Sequence, residues 1–391
     1  MKHVHFSALA VAALMLTAAG CSDSGSKAAD SKPSPAHTTK ATGAESLAGV
    51  CPSTVVVQQD WEPEAEHSGV YSLIGPGYTI DASKKRVTGP LVVDGKDTGV
   101  KIQVRAGGSA IGFQSVTAEM YIDKSITLGA VSTDGAVGAA GTQPVTAVVS
   151  QLEKSPQMLM WDPKSHPSWK TIADAGKSGA TVLVNKGVAF VSLLEDKGLI
   201  KAKQVDQGYT GAPSRFVSDP KILQQGFATA EPYIYQHEIK QWDKPVKYQL
   251  LADYGYNIYP EALSVRTGEL TSLSPCLKKL VPILQRAQIN YINNPGPTNQ
   301  LITDAVQKYN DGWTYSIGVA NYAATTMKKL GIVGTDASGA FGGMDMKRVQ
   351  SVIDTFGPIL KQGGVKIKDG LTAAQIATDQ FIDPHITMGS S

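Results

Sequence analysis

Few residue patterns in this 391-residue chain could support chemistry. Gly107-Gly108-Ser109-Ala110-Ile111 begins like the turn that presents a nucleophilic serine, but the closing glycine is missing and no local histidine or aspartate accompanies it. His237 and Glu238 begin a zinc-protease helix motif, yet Gln241 stands where a second histidine ligand is required. Gly75-Pro76-Gly77 follows a helical pattern instead of joining a strand to a helix, so it makes no dinucleotide fingerprint. Cys21, Cys51 and Cys276 form no cluster. The expectation is a protein with no catalytic residue, no metal site and no cofactor, whose polar and aromatic side chains bind a ligand without altering it.

The elements that would carry those side chains begin with an export signal. Lys2 is followed by an apolar run from about Phe6 to Ala19, then Ala18, Ala19 and Gly20 stand directly before Cys21. The run is short for a membrane span. Small residues before a cysteine resemble the bacterial lipobox, with Ala18 at the position where leucine is common, so Cys21 is expected to be lipidated. From Ser22 to Val50 the chain is rich in Ser, Ala, Lys, Thr, Gly and Pro. These 29 residues read as a flexible tether with a reach of roughly 30 Å. Lys plus Arg number 36 against 34 Asp plus Glu, a balance that argues against nucleic acid as a partner.

The body beyond Cys51 is long enough for two lobes. Thr54–Gln58 reads as a buried strand; a helix is expected from Pro63, with His67, Val70, Tyr71 and Ile74 on one face. Val100–Val104 is a second strand, leading through Gly107 and Gly108 into a helix from Ser109 to Tyr121. Ile126–Val131 is a third, ending at Ser132, Thr133 and Asp134. Such alternation predicts an α/β layout with a largely parallel sheet, whose ligands sit beyond the carboxyl ends of the strands. A second series follows, with strands at Thr181–Val184 and Val246–Leu251 and helices at Val188–Lys197 and Pro220–Gln225. Helices are then expected at Pro275–Ile292 behind an N-cap at Ser274, at Asn299–Tyr309, Gly318–Leu330 and Met346–Leu360, and at Ala373–Phe381 with a capping box at Thr372 and Gln375.

Asp60, Trp61, Pro63, His67, Gly69 and Tyr71 form a DWxPxxxHxGxY pattern directly after the first strand. It resembles the periplasmic binding proteins for thiamine-pyrimidine precursors and the wider nitrate, sulfonate and taurine group. The likeness extends to Gly107-Gly108-Ser109, Met160-Trp161-Asp162-Pro163 and Ala230-Glu231-Pro232-Tyr233. It implies an α/β, two-lobed periplasmic-binding-protein fold of type II-like design, with two hinge crossings and a helical C-terminal segment packed on the first lobe. It also implies that Trp61, His67, Tyr71, Ser109 and the Ser132-Thr133-Asp134 loop face the cleft from the first lobe. From the second lobe, Asn185, Lys186 and Gly187 precede a helix whose N-terminus can receive an anionic or acceptor group, and Glu231, Tyr233 and Tyr235 could supply an opposing surface. Fungal pyrimidine synthases share this architecture but carry a cysteine-rich motif that is absent here.

The expected organisation is a signal over 1–20, a lipidated tether over 21–50, a first lobe from 51–150 plus 253–391, and a second lobe over 151–252. Export and an even cysteine count predict a Cys51–Cys276 disulfide, although their spacing says nothing about proximity. The expected role is an ABC-importer binding lipoprotein on the extracytoplasmic face, monomeric, handing its solute to a permease and its ATPase. A ligand sensor for a membrane receptor would use the same cleft and tether. An aromatic wall with few cationic side chains suits a small planar polar organic solute, a thiamine-pyrimidine-like heterocycle before a small sulfonate.

Overall fold

The computed structural model describes residues 38–335 and 339–389. The expected signal, Cys21 and the tether as far as residue 37 lie outside them. The tether limit at Val50 is too late. β1 (Thr39–Lys40) pairs in parallel with the strand that contains Lys96, and Leu47 is fully buried. The docking is made by backbone bonds, Ala41 N–H to Asp97 O at 2.8 Å and Leu47 N–H to Thr98 O at 2.9 Å, which polar composition does not reveal.

Two sheets organise the described residues. The first contains β2 (Thr54–Gln58), β3 (Thr79–Asp81), β4 (Arg86–Val93), β5 (Lys96–Arg105), β6 (Leu128–Val131) and β7 (Val145–Val149). The second contains β8 (Gln157–Trp161), β9 (Val182–Leu183), β10 (Val205–Asp206), β11 (Leu223–Phe227) and β12 (Lys247–Leu250). The chain then returns to the first sheet with β13 (Ala262–Arg266), giving the orders β3-β4-β5-β2-β6-β13-β7 and β10-β9-β11-β8-β12. It thus passes between sheets twice, after Val149 and after Leu250.

The first sheet is mixed, not largely parallel. β2 runs parallel to β5 and β6, but the returning β13 is antiparallel to β6 and β7, and β4 is antiparallel to β5. The β4–β5 hairpin escaped the sequence reading although it has a clear cause: Asp94 (φ 49°) and Gly95 (φ 75°) both adopt the left-handed conformation that a two-residue hairpin turn requires. The segment expected to be a helix at Pro220–Gln225 becomes β11, parallel to β9 and antiparallel to β8. Its residues Leu223 to Gln225 are buried in succession, so no alternation marked it as a strand.

The helices are α1 (Ser68–Tyr71), α2 (Val116–Ile122), α3 (Thr133–Ala139), α4 (Ile172–Ser178), α5 (Phe190–Asp196), α6 (Ser214–Ser218), α7 (Glu231–His237), α8 (Leu270–Asn293), α9 (Gly296–Tyr309), α10 (Ile317–Lys329), α11 (Met346–Gln362) and α12 (Ala373–Ile376). The helix expected from Ser109 to Tyr121 is broken, because Gly112 and Phe113 take positive φ between a 3-10 turn at Gly108–Ile111 and α2. α8 begins at Leu270 and contains Pro275, so Ser274 is no N-cap. The Thr372–Gln375 capping box is present, but α12 ends at Ile376 instead of Phe381.

Cys51 and Cys276 are bonded, with Cα atoms 4.7 Å apart, which joins the entry to β2 with α8. α8, α9 and α10 bury Leu280, Ile302 and Ala323 in the apolar core that also holds Val55 and Val57 of β2. Both passages between sheets meet at one residue of α11. The Arg348 guanidinium donates to Glu153 Oε1 (2.6 Å) and Glu153 O (2.7 Å) on the outgoing segment, and to Asn257 O (2.9 Å) and Ile258 O (2.7 Å) on the returning one. Its plane lies 3.7 Å from the Tyr259 ring centre.

Candidate functional site

The end of β2 is held in place by its neighbours. Gln58 Nε2 donates to Gln59 O and Ala106 O, Gly107 N–H to Trp61 O at 2.7 Å, and Gly108 N–H to Asp60 O at 2.9 Å. Gly107 has to be glycine: a Cβ there would lie 2.3 Å from Gln59 O and 2.4 Å from the Asp60 carbonyl carbon. Gly108, at φ 55°, lies under the Trp61 indole. Trp61 in turn meets Trp313 edge-on at 6.1 Å and Phe113 at 5.9 Å, while Trp313 stacks on Tyr315. Gly211, from the segment carrying the second sheet, sits opposite Trp61 and Trp313.

The segment from Asp60 to His67 carries an acidic side chain at every second position, namely Asp60, Glu62, Glu64 and Glu66. Asp60 is half-exposed and the three glutamates are buried. Ser109 donates its hydroxyl to Glu62 Oε1, leaving Glu62 Oε2 buried without a partner. Burial pushes the Glu62 carboxyl up, outweighing that hydrogen bond. Glu66 accepts from Thr229 Oγ1, a direct bond from the first sheet's side to the second's. His67 is buried; its Nε2 lies 3.0 Å from Asp60 Oδ1, 3.7 Å from Glu261 Oε2 and 3.9 Å from Glu64 Oε1. Burial first, and then neighbouring carboxylates, hold Glu64 and Glu261 well above the usual carboxylate range. Glu261 immediately precedes β13 and takes φ 53°, a left-handed conformation uncommon for glutamate.

Across from this segment, Glu231 opens α7. Its Oε2 accepts Phe227 N–H at 2.7 Å and its Oε1 accepts the Tyr209 hydroxyl at 3.3 Å. Burial pushes its carboxyl up to about 7, and the charge on Glu66 adds to the effect.

Trp61, His67, Ser109 and Glu231 are thus brought to one region, joined through Glu62, Glu66 and Thr229. Tyr71 lies in the first core with its hydroxyl buried and unpaired. Ser132 caps α3, Thr133 Oγ1 accepts Tyr259 N–H at 3.1 Å, and Asp134 accepts the Tyr256 hydroxyl at 2.8 Å, so that loop secures the returning passage. Asn185 bonds Gln225 and Tyr209, Gly187 N–H reaches Gln207, and Lys186 is exposed; α5 begins only at Phe190. Tyr233 packs on Tyr322 and His237, with α10's Gly318 beside its hydroxyl. Tyr235 is buried between Phe216 and Trp242, its hydroxyl accepting from Gln224. Sequence reasoning missed Glu62, Glu64, Glu66, Thr229, Glu261 and Trp313. The alternating acids were visible beside Pro63, but Glu261 and Trp313 arrive from about 200 and 250 residues away and carry no local signal.

No family model matches the chain, and no curated protein matches it in sequence. Solved structures do resemble it in three dimensions. The periplasmic aliphatic sulphonate binding protein SsuA from Escherichia coli matches with a TM-score of 0.53 at 12% identity, over 82% of this chain and 91% of that one. A protein from Bordetella bronchiseptica RB50 matches at 0.52 and 15%, over 84% and 96%. The ligand binding component of an ABC-type import system from Staphylococcus aureus, solved with zinc bound, matches at 0.50 and 11%, over 84% and 97%. At these identities the likeness is one of fold: the chain has the mixed α/β, two-sheet fold of the periplasmic solute-binding proteins, sulfonate-binding SsuA among them.

Proposed function

We propose that this protein is the extracytoplasmic solute-binding subunit of an ABC importer, anchored by a lipid on Cys21, binding its solute without turning it over. The observation that carries the reading is the polar and aromatic seam between the two sheets, where Glu66 bonds Thr229 and Trp61 faces Gly211. In this reading residues 39–150, which include β1, and 253–391 form one lobe, residues 151–252 form the other, and both close on solute by rotation about the two passages. The solute is a small planar polar organic molecule, of which a thiamine-pyrimidine-precursor-like aminoheterocycle fits better than a sulfonate. Trp61 and Trp313 offer aromatic surface, while Glu62 and Glu231 offer acceptors for amino N–H groups. A sulfonate would instead meet carboxylates, with Lys85 already paired to Asp311.

The test is a thermal-shift screen of aminopyrimidines, thiamine intermediates, sulfonates and nitrate, followed by calorimetry on the best binder. A ligand at 100 times its dissociation constant stabilises by about 2.7 kcal/mol. Trp61→Ala is expected to weaken the true solute by ~1–3 kcal/mol. Undiminished affinity in that variant, or tight binding of a sulfonate in preference to every heterocycle, would overturn the assignment of the solute. Failure of the loaded protein to stimulate any permease and ATPase, with solute binding intact, would favour the sensor role.

A further inference from the structure

We infer that Asp60, Glu64, His67 and Glu261 form a binding site for a divalent transition-metal ion of the zinc class, in addition to the proposed solute site. His67 Nε2 has three carboxylate oxygens around it, at 3.0 Å (Asp60), 3.7 Å (Glu261) and 3.9 Å (Glu64). Asp60, His67 and Glu261 each bring a ligand atom within 4.8 Å of the other two. A tetrahedral ion with bonds of ~2.0–2.1 Å holds its ligand atoms ~3.3–3.4 Å apart, a value inside the observed spread. Small side-chain rotations would therefore bring Asp60, His67 and Glu261 onto one ion, and a larger turn of Glu64, whose Oε1 lies 3.9 Å from His67 Nε2, would complete the shell.

A second observation points the same way. Glu64 and Glu261 are 5% and 7% exposed, yet among the described residues neither carboxylate receives a hydrogen bond. Glu66 and Glu231 sit in the same region but have Thr229, Phe227 and Tyr209 as donors. Buried carboxylates that share a single imidazole as their counterpart are costly to hold, because one imidazole N–H can serve only one of three acceptors. A metal ion serves all of them at once. On binding, the single proton of the neutral imidazole sits on Nδ1, leaving the Nε2 lone pair for the cation, and any proton held by the carboxyl groups is released to water. The imidazole ligand favours a transition ion over magnesium or calcium, which prefer oxygen alone.

All four residues lie on the side of the first sheet: three between β2 and α1, and Glu261 at the entry to β13. Ion binding therefore needs no solute and no second-lobe residue. Asp60, whose side chain is 43% exposed, gives the ion a route in. Sequence spacing concealed the set because its fourth member is 194 positions beyond His67.

The experiment is calorimetric titration of tag-free, chelator-stripped protein with zinc chloride, and separately with magnesium and calcium chlorides. X-ray absorption spectroscopy at the zinc edge reads the donor set, because the d10 ion has no visible bands of its own. One equivalent of zinc, at least tenfold tighter than magnesium or calcium, with nitrogen and oxygen but no sulfur ligands, is expected. Glu261→Gln and the half-exposed Asp60→Asn, each checked for folding by circular dichroism, should weaken zinc by more than about tenfold, since even losing an outer-shell partner costs that much. Glu231→Gln and His237→Ala should retain it. Absence of a stoichiometric isotherm, or equal affinity in wild type, Asp60→Asn and Glu261→Gln, would overturn the site. So would binding of guanidinium or methylammonium through these carboxylates with none of zinc. Solute binding that fails while zinc binding survives would remove the importer reading and leave the metal site standing.

Discussion

Replacing Glu231 by Gln should make the protein more stable at pH 8 and leave it almost unchanged near pH 4. The Glu231 carboxyl is raised from 4.5 to about 7, with burial as the largest cause. A folded-state value above the unfolded one means that the native state holds this proton more tightly. Its contribution to stability is then complete below pH 4.5 and is lost as pH climbs toward 7. At 1.36 kcal/mol per pH unit the full span amounts to about 3 kcal/mol, and partial exposure of the residue brings the expectation to ~1–3 kcal/mol. Gln keeps the geometry, since its carbonyl can still accept Phe227 N–H and its amide can donate to Tyr209. Glu62, Glu64, Glu66 and Glu261 are shifted in the same direction, so the wild-type profile alone would not isolate Glu231. The difference between wild type and variant does so, apart from its coupling to Glu66. Urea unfolding of both proteins at half-unit steps from pH 4 to 8 supplies that difference. A flat difference, or a variant less stable than wild type at pH 8, would refute the reasoning.

Two further outcomes follow from the packing. Substituting both Cys51 and Cys276 by Ser should cost ~2–5 kcal/mol in chemical denaturation, because the bond closes a loop across a sequence separation of 225 residues; an unchanged midpoint would show that the bond contributes nothing. Gly107→Ala should cost more than ~3 kcal/mol or prevent folding, since its Cβ would meet backbone atoms of Gln59 and Asp60 that cannot move aside cheaply; normal yield and melting temperature would contradict this.

The architecture was legible where periodicity and punctuation agree. β2, β12 and the three helices α9, α10 and α11 fall near their expected positions because apolar spacing, glycine and proline all speak for the same element. β13 was missed because a central strand covered on both faces has no alternation, and β11 was read as a helix for the same reason. The site was less legible. Trp61, His67 and Ser109 belong to patterns that resemblance could reach. The carboxylates around them depend on long-range closure, as Glu261 and Glu231 become neighbours of Glu66 only once both sheets are assembled. Tyr235 shows the converse: its chemistry suits a ligand wall, but Phe216, Trp242 and Gln224 enclose it.

Arg348 gives the joint between the two sheets a single bearing. One guanidinium grips Glu153 on the way out and Asn257 and Ile258 on the way back, so the two passages cannot slide past each other without breaking several charge-assisted bonds. A swing of one sheet against the other that keeps these bonds would turn about this point instead of shearing across it, with little travel at the pivot and most at the far rim. The bearing is supplied by α11, although every strand of both sheets precedes residue 267. A chain ending before Met346 would keep all of its strands and lose the part that governs how they swing.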